Sequence, residues 1–195
     1  MKHHFPFLGI KSPNRKELLK TFFSTYSVPE KSQLLEEVWT IYKMPEREYQ
    51  YAAIALLSKN QKLLTIEDLV FCEKLITEKS WWDSVDSIAP SIVGTIVMKN
   101  RENGEQIMKQ WSDSDNMWLN RATILHQLKF KKETNEQLLI EIILAHADSN
   151  EFFIQKAIGW VLREYAKTNP SFVQQFVGGN DLKPLSKREA LKHIK

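Results

Sequence analysis

The sequence predicts an all-α fold, and three observations carry that prediction. The 195-residue chain holds only six glycines and seven prolines, too few for an all-β chain that must turn about every ten residues. Leu, Lys, Glu, Gln and Ala, which favour helix, are plentiful. Apolar residues recur at helical spacing through nearly everything after Pro13. Its length suits one domain, and 43% hydrophobic residues against 26% charged is a globular balance that can fill a sizeable core.

The elements follow in order. Pro13, Pro29 and Pro45 each stand where a helix can begin, because the first turn needs no N–H donor there. They open expected helices over 13–25, 29–43 and 45–59. The next, 65–79, carries the apolar run Leu69-Val70-Phe71-Cys72. Helices over 82–98, 103–112, 116–130, 134–147 and 151–168 follow from their periodicity. Pro170 opens 170–177, and Lys187 and Arg188 lie at the start of the last helix, 186–194. The linkers between them are short, so residues 1–195 are expected to form a single domain.

Several functions are disfavoured early. Cys72 is the only cysteine, so no intramolecular disulfide forms, and its apolar neighbours make it a small buried hydrophobe. The chain has no CxxC or Cys/His cluster, and the pair His3-His4 lacks a plausible third ligand, so no metal site is expected. No apolar run reaches membrane-spanning length, and the N-terminus lacks the apolar core of a signal peptide. The expected compartment is the cytoplasm. A net charge of +3 permits an anionic partner without demanding one.

Aligning the helices exposes a repeat. Tyr49, Trp118 and Phe153 are each followed four residues later by an alanine: Ala53, Ala122 and Ala157. Ser186 and Ala190 keep the spacing without the aromatic residue. Trp82 belongs to the series, but four residues later comes Asp86. Positions 53, 86, 122, 157 and 190 are separated by 33, 36, 35 and 33 residues. With roughly two helices per unit, that period predicts a curved α-α superhelix, a stack of helical repeats of the HEAT or armadillo kind.

The register singles out Asp86. A position that otherwise carries alanine is expected to be crowded or inward-facing, and a lone buried carboxylate is costly. Asp86 therefore either has a function or pairs locally, with Arg121 as the neighbour in register. One residue ahead of each series member stand Ala52, Val85, Arg121, Lys156 and Glu189. Arg121 and Lys156 thus recur at equivalent positions, and Arg163 lies on the Lys156 face of its helix. With Lys187 and Arg188 they make a basic track suited to a phosphate backbone, although any one of them alone reads equally well as a solvated charge. Lys11 and Ser12, at the opening of the first helix, join this candidate DNA-binding set.

Six tryptophans is a high number for this length. Trp39 and Trp111 lie on amphipathic faces and read as core. Trp81 and Trp82 point about 100° apart on a helix, so both cannot face one core. Trp160 is an oversized residue where other repeats carry Leu56, Ala89 and Leu125. Stacked helices can bring Trp82, Asp86, Arg121 and Trp160 to one cleft. Aromatic faces with a carboxylate suit a cationic target, through the ring quadrupoles and through stabilisation of developing positive charge. Arg121 can hold a phosphate or orient Asp86.

Ser80-Trp81-Trp82-Asp83-Ser84-Val85-Asp86-Ser87-Ile88 closely resembles the AlkD-type DNA alkylation repair glycosylase family. So do the stretches Trp118-Leu119-Asn120-Arg121-Ala122, Phe153-Ile154-Gln155-Lys156-Ala157-Ile158-Gly159-Trp160 and Pro184-Leu185-Ser186-Lys187-Arg188-Glu189-Ala190. The resemblance covers essentially the whole chain. It implies HEAT-like repeats and excision of cationic N3- or N7-alkylated purines from DNA. It also implies Asp86 as the catalytic carboxylate, Trp82 and Trp160 as its aromatic partners, and Arg121 as a DNA-facing arginine. It implies no cofactor, and a groove open to DNA is expected to work as a monomer. Glycosylases of this family usually carry additional helical sequence ahead of the segment resembling Met1-Lys2-His3-His4-Phe5. A chain without it is expected to keep the chemical residues but to grip DNA differently. The expected activity is therefore alkylpurine DNA glycosylase, with a non-catalytic relative that binds bent or branched DNA as the alternative. A peptide-binding solenoid is a third possibility, against which the Trp82, Asp86 and Trp160 set argues.

Overall fold

Pro13 lies in the first turn of α1 (Ser12–Thr25), as its fixed φ favours, in a computed structural model that describes residues 4–28 and 30–193. α2 (Lys31–Tyr42) follows; Pro29, its expected opening residue, lies outside the described residues, as does His3. α3 (Arg47–Lys59) begins two residues after Pro45. The expected helix over 65–79 splits into a 3-10 turn, Ile66–Asp68, and α4 (Leu69–Thr77). Thr65 and Asp68 close the turn reciprocally as a capping box, satisfying N–H groups that a helix start leaves orphaned.

The helix expected over 82–98 changes character midway. It runs as α5 (Trp82–Ile88), a π-helical segment Ala89–Val93, and α6 (Gly94–Lys99). Pro90 is the physical reason. It has no N–H to donate to the Asp86 carbonyl four residues back, and its ring crowds that carbonyl. The turn widens, and Gly94 N–H donates to the Ala89 carbonyl five residues earlier.

The remaining helices are α7 (Arg101–Ser112), α8 (Met117–Leu125), α9 (Glu136–Ala145), α10 (Phe152–Tyr165), α11 (Pro170–Gly179) and α12 (Pro184–Ala190). Asn116, Asn135 and Asn169 cap α8, α9 and α11 with their side-chain oxygens. Each such cap contributes about 1 kcal/mol. The last helix starts two residues before its expected position, because Pro184 occupies its first turn. Among the described residues there is no strand, and no helix is long and apolar enough to cross a membrane.

Contacts gather the chain into two compact units, residues 1–71 and 72–195. In the first, α2 and α3 pack through Leu34, Val38 and Tyr42 against Ala53, Leu56 and Leu57, all essentially buried. Full burial of one such aliphatic side chain stabilises by roughly 1.5–3 kcal/mol. Glu48 of α3 accepts the backbone N–H groups of Leu8, Gly9 and Ile10 at 3.0, 3.0 and 3.1 Å, tying the N-terminal segment down. Burial works to raise the Glu48 carboxyl, but those three donors hold it below its ordinary value.

In the second unit α5, α8, α10 and α12 succeed one another side by side, with α7, α9 and α11 packed along them. Cys72 is buried there, as its apolar context predicts. The alanine series is the seam of this layer: Ala122, Ala157 and Ala190 are fully buried, as Ala53 is in the first unit. A small residue is needed where neighbouring helices approach this closely. Gly159 shows how closely: a Cβ there would lie 2.4 Å from Glu189 Cβ and 3.0 Å from the Ser186 carbonyl oxygen. Only glycine lets α10 and α12 meet at that point, and Ser186 Oγ then donates to the Gln155 carbonyl at 3.1 Å.

Candidate functional site

The seam is interrupted at Asp86, and the carboxylate there is paired. Arg121 of α8 donates from Nε to Asp86 Oδ1 and from Nη2 to Oδ2, both at 2.8 Å. This fork geometry is the strongest form of carboxylate pairing. The Arg121 side chain is 5% exposed and that of Asp86 14%, so the pair sits at the inner edge of solvent. The third guanidinium nitrogen, Nη1, donates to the Phe153 carbonyl at the start of α10. Arg121 therefore joins three successive helices of the layer. Burial raises the Asp86 carboxyl above its ordinary value, against the lowering pull of the Arg121 hydrogen bonds and charge.

Local structure places Arg121 with care. Asn116 caps α8 by accepting from Trp118 and Leu119 N–H at 2.9 and 3.3 Å. Asn120 Nδ2 then reaches the carbonyls of Trp111, Ser112 and Ser114, fixing the start of α8 on the preceding turn. Phe153 supports the pair from the other side. Its ring lies 5.1 Å from both Trp81 and Trp118, in a cluster of tilted aromatic contacts. Trp81 and Trp82 part company, though not by a helical angle: Trp81 is the extended residue just ahead of α5 and joins that cluster, whereas Trp82 opens the helix and is 43% exposed.

Trp82, Asp86, Arg121 and Trp160 line one cleft of about 280 Å³. Phe152, Phe153, Lys156, Arg163 and Glu189 complete it. The four residues singled out by the repeat register are therefore brought together. The basic residues are arranged less simply. Lys156 Nζ lies 3.0 Å from Glu189 Oε1, and Arg163 Nη1 lies 2.7 Å from Glu189 Oε2. Lys156 first and Arg163 second hold the Glu189 carboxyl below its usual value. Lys187 stands 3.6 Å from exposed Asp181, and Arg188 is exposed; neither lines the cleft. Lys11 and Ser12 are exposed at the start of α1, in the first unit. In sequence, Glu189 is only a register position and not visibly the partner of two cations. Its place after Lys156 in the alignment is the available signal. Phe153 reads as an aromatic of the series, but its carbonyl contact has no sequence signature.

A wider cleft of about 580 Å³ opens elsewhere in the second unit, with Lys129, Lys131 and Lys167 on its walls. Its one carboxylate, Glu164, is bound to Lys167 at 2.6 Å, and no tryptophan lines it. The chemistry assembled around Asp86 is absent from that cleft. Of the two tryptophans expected in the core, Trp111 is 5% exposed and donates to Glu73 at 3.1 Å, whereas Trp39 is only half-buried and stacks on Tyr42.

Fold and site together define an all-α helical-repeat protein with an arginine-clamped carboxylate in a tryptophan-lined cleft. The chain belongs to the DNA alkylation repair enzyme family, whose model matches residues 1–194. It is similar to a predicted DNA alkylation repair enzyme from Enterococcus faecalis, with 37% identity and a TM-score of 0.87 over 99% of this chain and 90% of that one. It is also similar in fold to AlkD2 from Streptococcus mutans, with 17% identity and a TM-score of 0.70 over 96% and 92% of the two chains. The smu.31 protein of Streptococcus mutans UA159 gives 17% identity and a TM-score of 0.68 over 94% and 92%. No curated protein matches the chain.

Proposed function

We propose that the protein is an alkylpurine DNA glycosylase that releases cationic N3- or N7-alkylated purines. The observation that carries this reading is the Asp86 carboxylate, held by Arg121 at the wall of the cleft that Trp82 and Trp160 also line. Alkylation places a positive charge on the base. When the N-glycosidic bond breaks, its electron pair leaves with the base, which departs neutral, and positive charge passes to the deoxyribose. Asp86 stabilises that oxocarbenium-like sugar, and a water molecule captures it at C1′, losing its proton to solvent. One preorganised contact of this kind is worth about 3 kcal/mol or more of barrier. Arg121 orients the carboxylate and, as an obligate cation, opposes the rise that burial imposes on its pKa. Trp82 and Trp160 offer ring faces to the cationic base. Because the lesion is already activated, a shallow cleft is sufficient, without the deep pocket of a base-flipping enzyme. The protein acts on DNA as a monomer in the cytoplasm under this reading, and no metal takes part.

Incubation with methylated duplex DNA is expected to release N7-methylguanine. Asp86→Asn, which keeps the shape and removes the charge, is expected to slow release by roughly a hundredfold or more. Release by the wild type no faster than by Asp86→Asn would sink the glycosylase reading.

The same pair supports a second reading. A carboxylate whose two oxygens are both engaged by a buried guanidinium has less charge to lend to a sugar cation. In that case the protein is a DNA-binding relative that recognises bent or branched DNA without excision. Gel shifts on branched and linear duplex, with no base release from either, are its signature.

A further inference from the structure

Two of the cations in the cleft already share one carboxylate of the protein itself. Lys156 and Arg163 lie seven residues apart on one face of α10, and both turn to the single carboxylate of Glu189 on α12. Arg163 also donates to the Glu189 backbone carbonyl at 3.3 Å. The carboxylate is only 15% exposed and is a member of the cleft wall. The arrangement depends on the glycine contact, since Gly159 lets α12 come close enough for a glutamate side chain to reach between the two cations. The pairing is also out of keeping with the cleft's other carboxylate. Asp86 has one dedicated arginine, whereas Glu189 has two cationic partners, and together they copy the way a phosphate oxygen pair is held by Lys and Arg.

We infer that Glu189 is an internal counter-ion occupying the place of a DNA backbone phosphate, which must displace it for Lys156 and Arg163 to engage nucleic acid. The inference rests on the DNA-binding reading above. It makes Glu189 a residue that sets backbone affinity: a phosphate gains at this point only what it offers beyond a carboxylate already in place. The backbone of any DNA is thereby held weakly at this point, and discrimination falls to the groups around Asp86.

The test compares binding of a methylated duplex across a salt series for the wild type, Glu189→Gln and Glu189→Asp. Glu189→Gln frees the two cations. It is expected to tighten binding roughly three- to tenfold at low salt and to steepen the salt dependence by about one counter-ion. Glu189→Asp keeps the charge and is expected to bind like the wild type. Should Glu189→Gln fail to fold, Lys156→Gln replaces it, with Arg163 still holding Glu189. Weaker binding with a shallower slope is then expected. A folded Glu189→Gln whose affinity and slope equal those of the wild type overturns the inference, as does an unchanged Lys156→Gln. In either case wild-type binding and base release are unaffected, so the glycosylase reading stands. A wild type that binds no DNA while Glu189→Gln does supports the inference. If neither binds at low salt, this inference and the DNA-binding reading fail together.

Discussion

At the scale of the residue, the Asp86–Arg121 pair is the most exposed to test. Removing one partner of a buried pair leaves the other charge without compensation. Arg121→Ala is expected to lower stability by about 3–5 kcal/mol, measured by denaturant unfolding. Adding Asp86→Asn to it is expected to recover part of that loss, because the stranded charge is gone. Losses that simply add would mean the two side chains do not depend on each other. Much of this is legible in the sequence. Asp86 is the one member of its series that is not alanine, and Arg121 stands at the neighbouring register position. Two things are not. The choice between a phosphate-holding and a carboxylate-orienting arginine depends on burial, which spacing does not give. The pairing of Glu189 with Lys156 and Arg163 depends on how near two helices come.

That nearness belongs to the scale of the element. Gly159 is the contact through which α10 and α12 meet, with no room for a methyl group. Gly159→Ala would raise helix propensity by about 1 kcal/mol, yet the clash is with backbone and Cβ atoms that cannot swing aside. Overpacking is expected to win, with a net loss of about 1–3 kcal/mol seen in thermal unfolding. A more stable Gly159→Ala would show that α12 can back away freely. The π-helical turn at Pro90 makes a similar point about reading. Helical periodicity runs through 82–98 without a break, and it correctly places Trp82 and Asp86 on a helix. The same pattern conceals the widened turn, because apolar spacing does not register the loss of one backbone donor. The prolines that open helices are easier to read, since there the missing donor costs nothing.

At the scale of the molecule, the period of 33 to 36 residues is legible in the amino-acid order alone, and the buried alanines carry it. The gathering of contacts into two units is not, because a repeat pattern says nothing of where packing thins. Stability of the whole depends on acid conditions through His126, which is fully buried at the end of α8. Burial, the largest cause, pulls its pKa from 6.5 down to about 4, assisted by the Arg101 charge and opposed by the Thr123 carbonyl. Between these values the unfolded chain binds a proton that the folded chain refuses. Stability contributed by neutral His126 is therefore complete above about pH 6.5 and lost as pH falls toward 4. The loss amounts to roughly 3 kcal/mol. Denaturant unfolding from pH 7 to pH 4 is expected to show this slope, and His126→Leu to flatten it. An equal slope in the two proteins would assign the acid sensitivity to other groups.

The parting of Trp81 from Trp82 has an optical consequence. One indole is packed with Trp118 and Phe153, and the next faces the cleft at 43% exposure. Adjacent chromophores thus see two different media. If bases stack in the cleft as proposed, DNA is expected to quench the red edge of the emission, to which exposed Trp82 contributes most, and Trp82→Phe is expected to remove that quenching. Comparing wild type and Trp82→Phe then reports occupancy of the cleft by the unlabelled protein's own fluorescence.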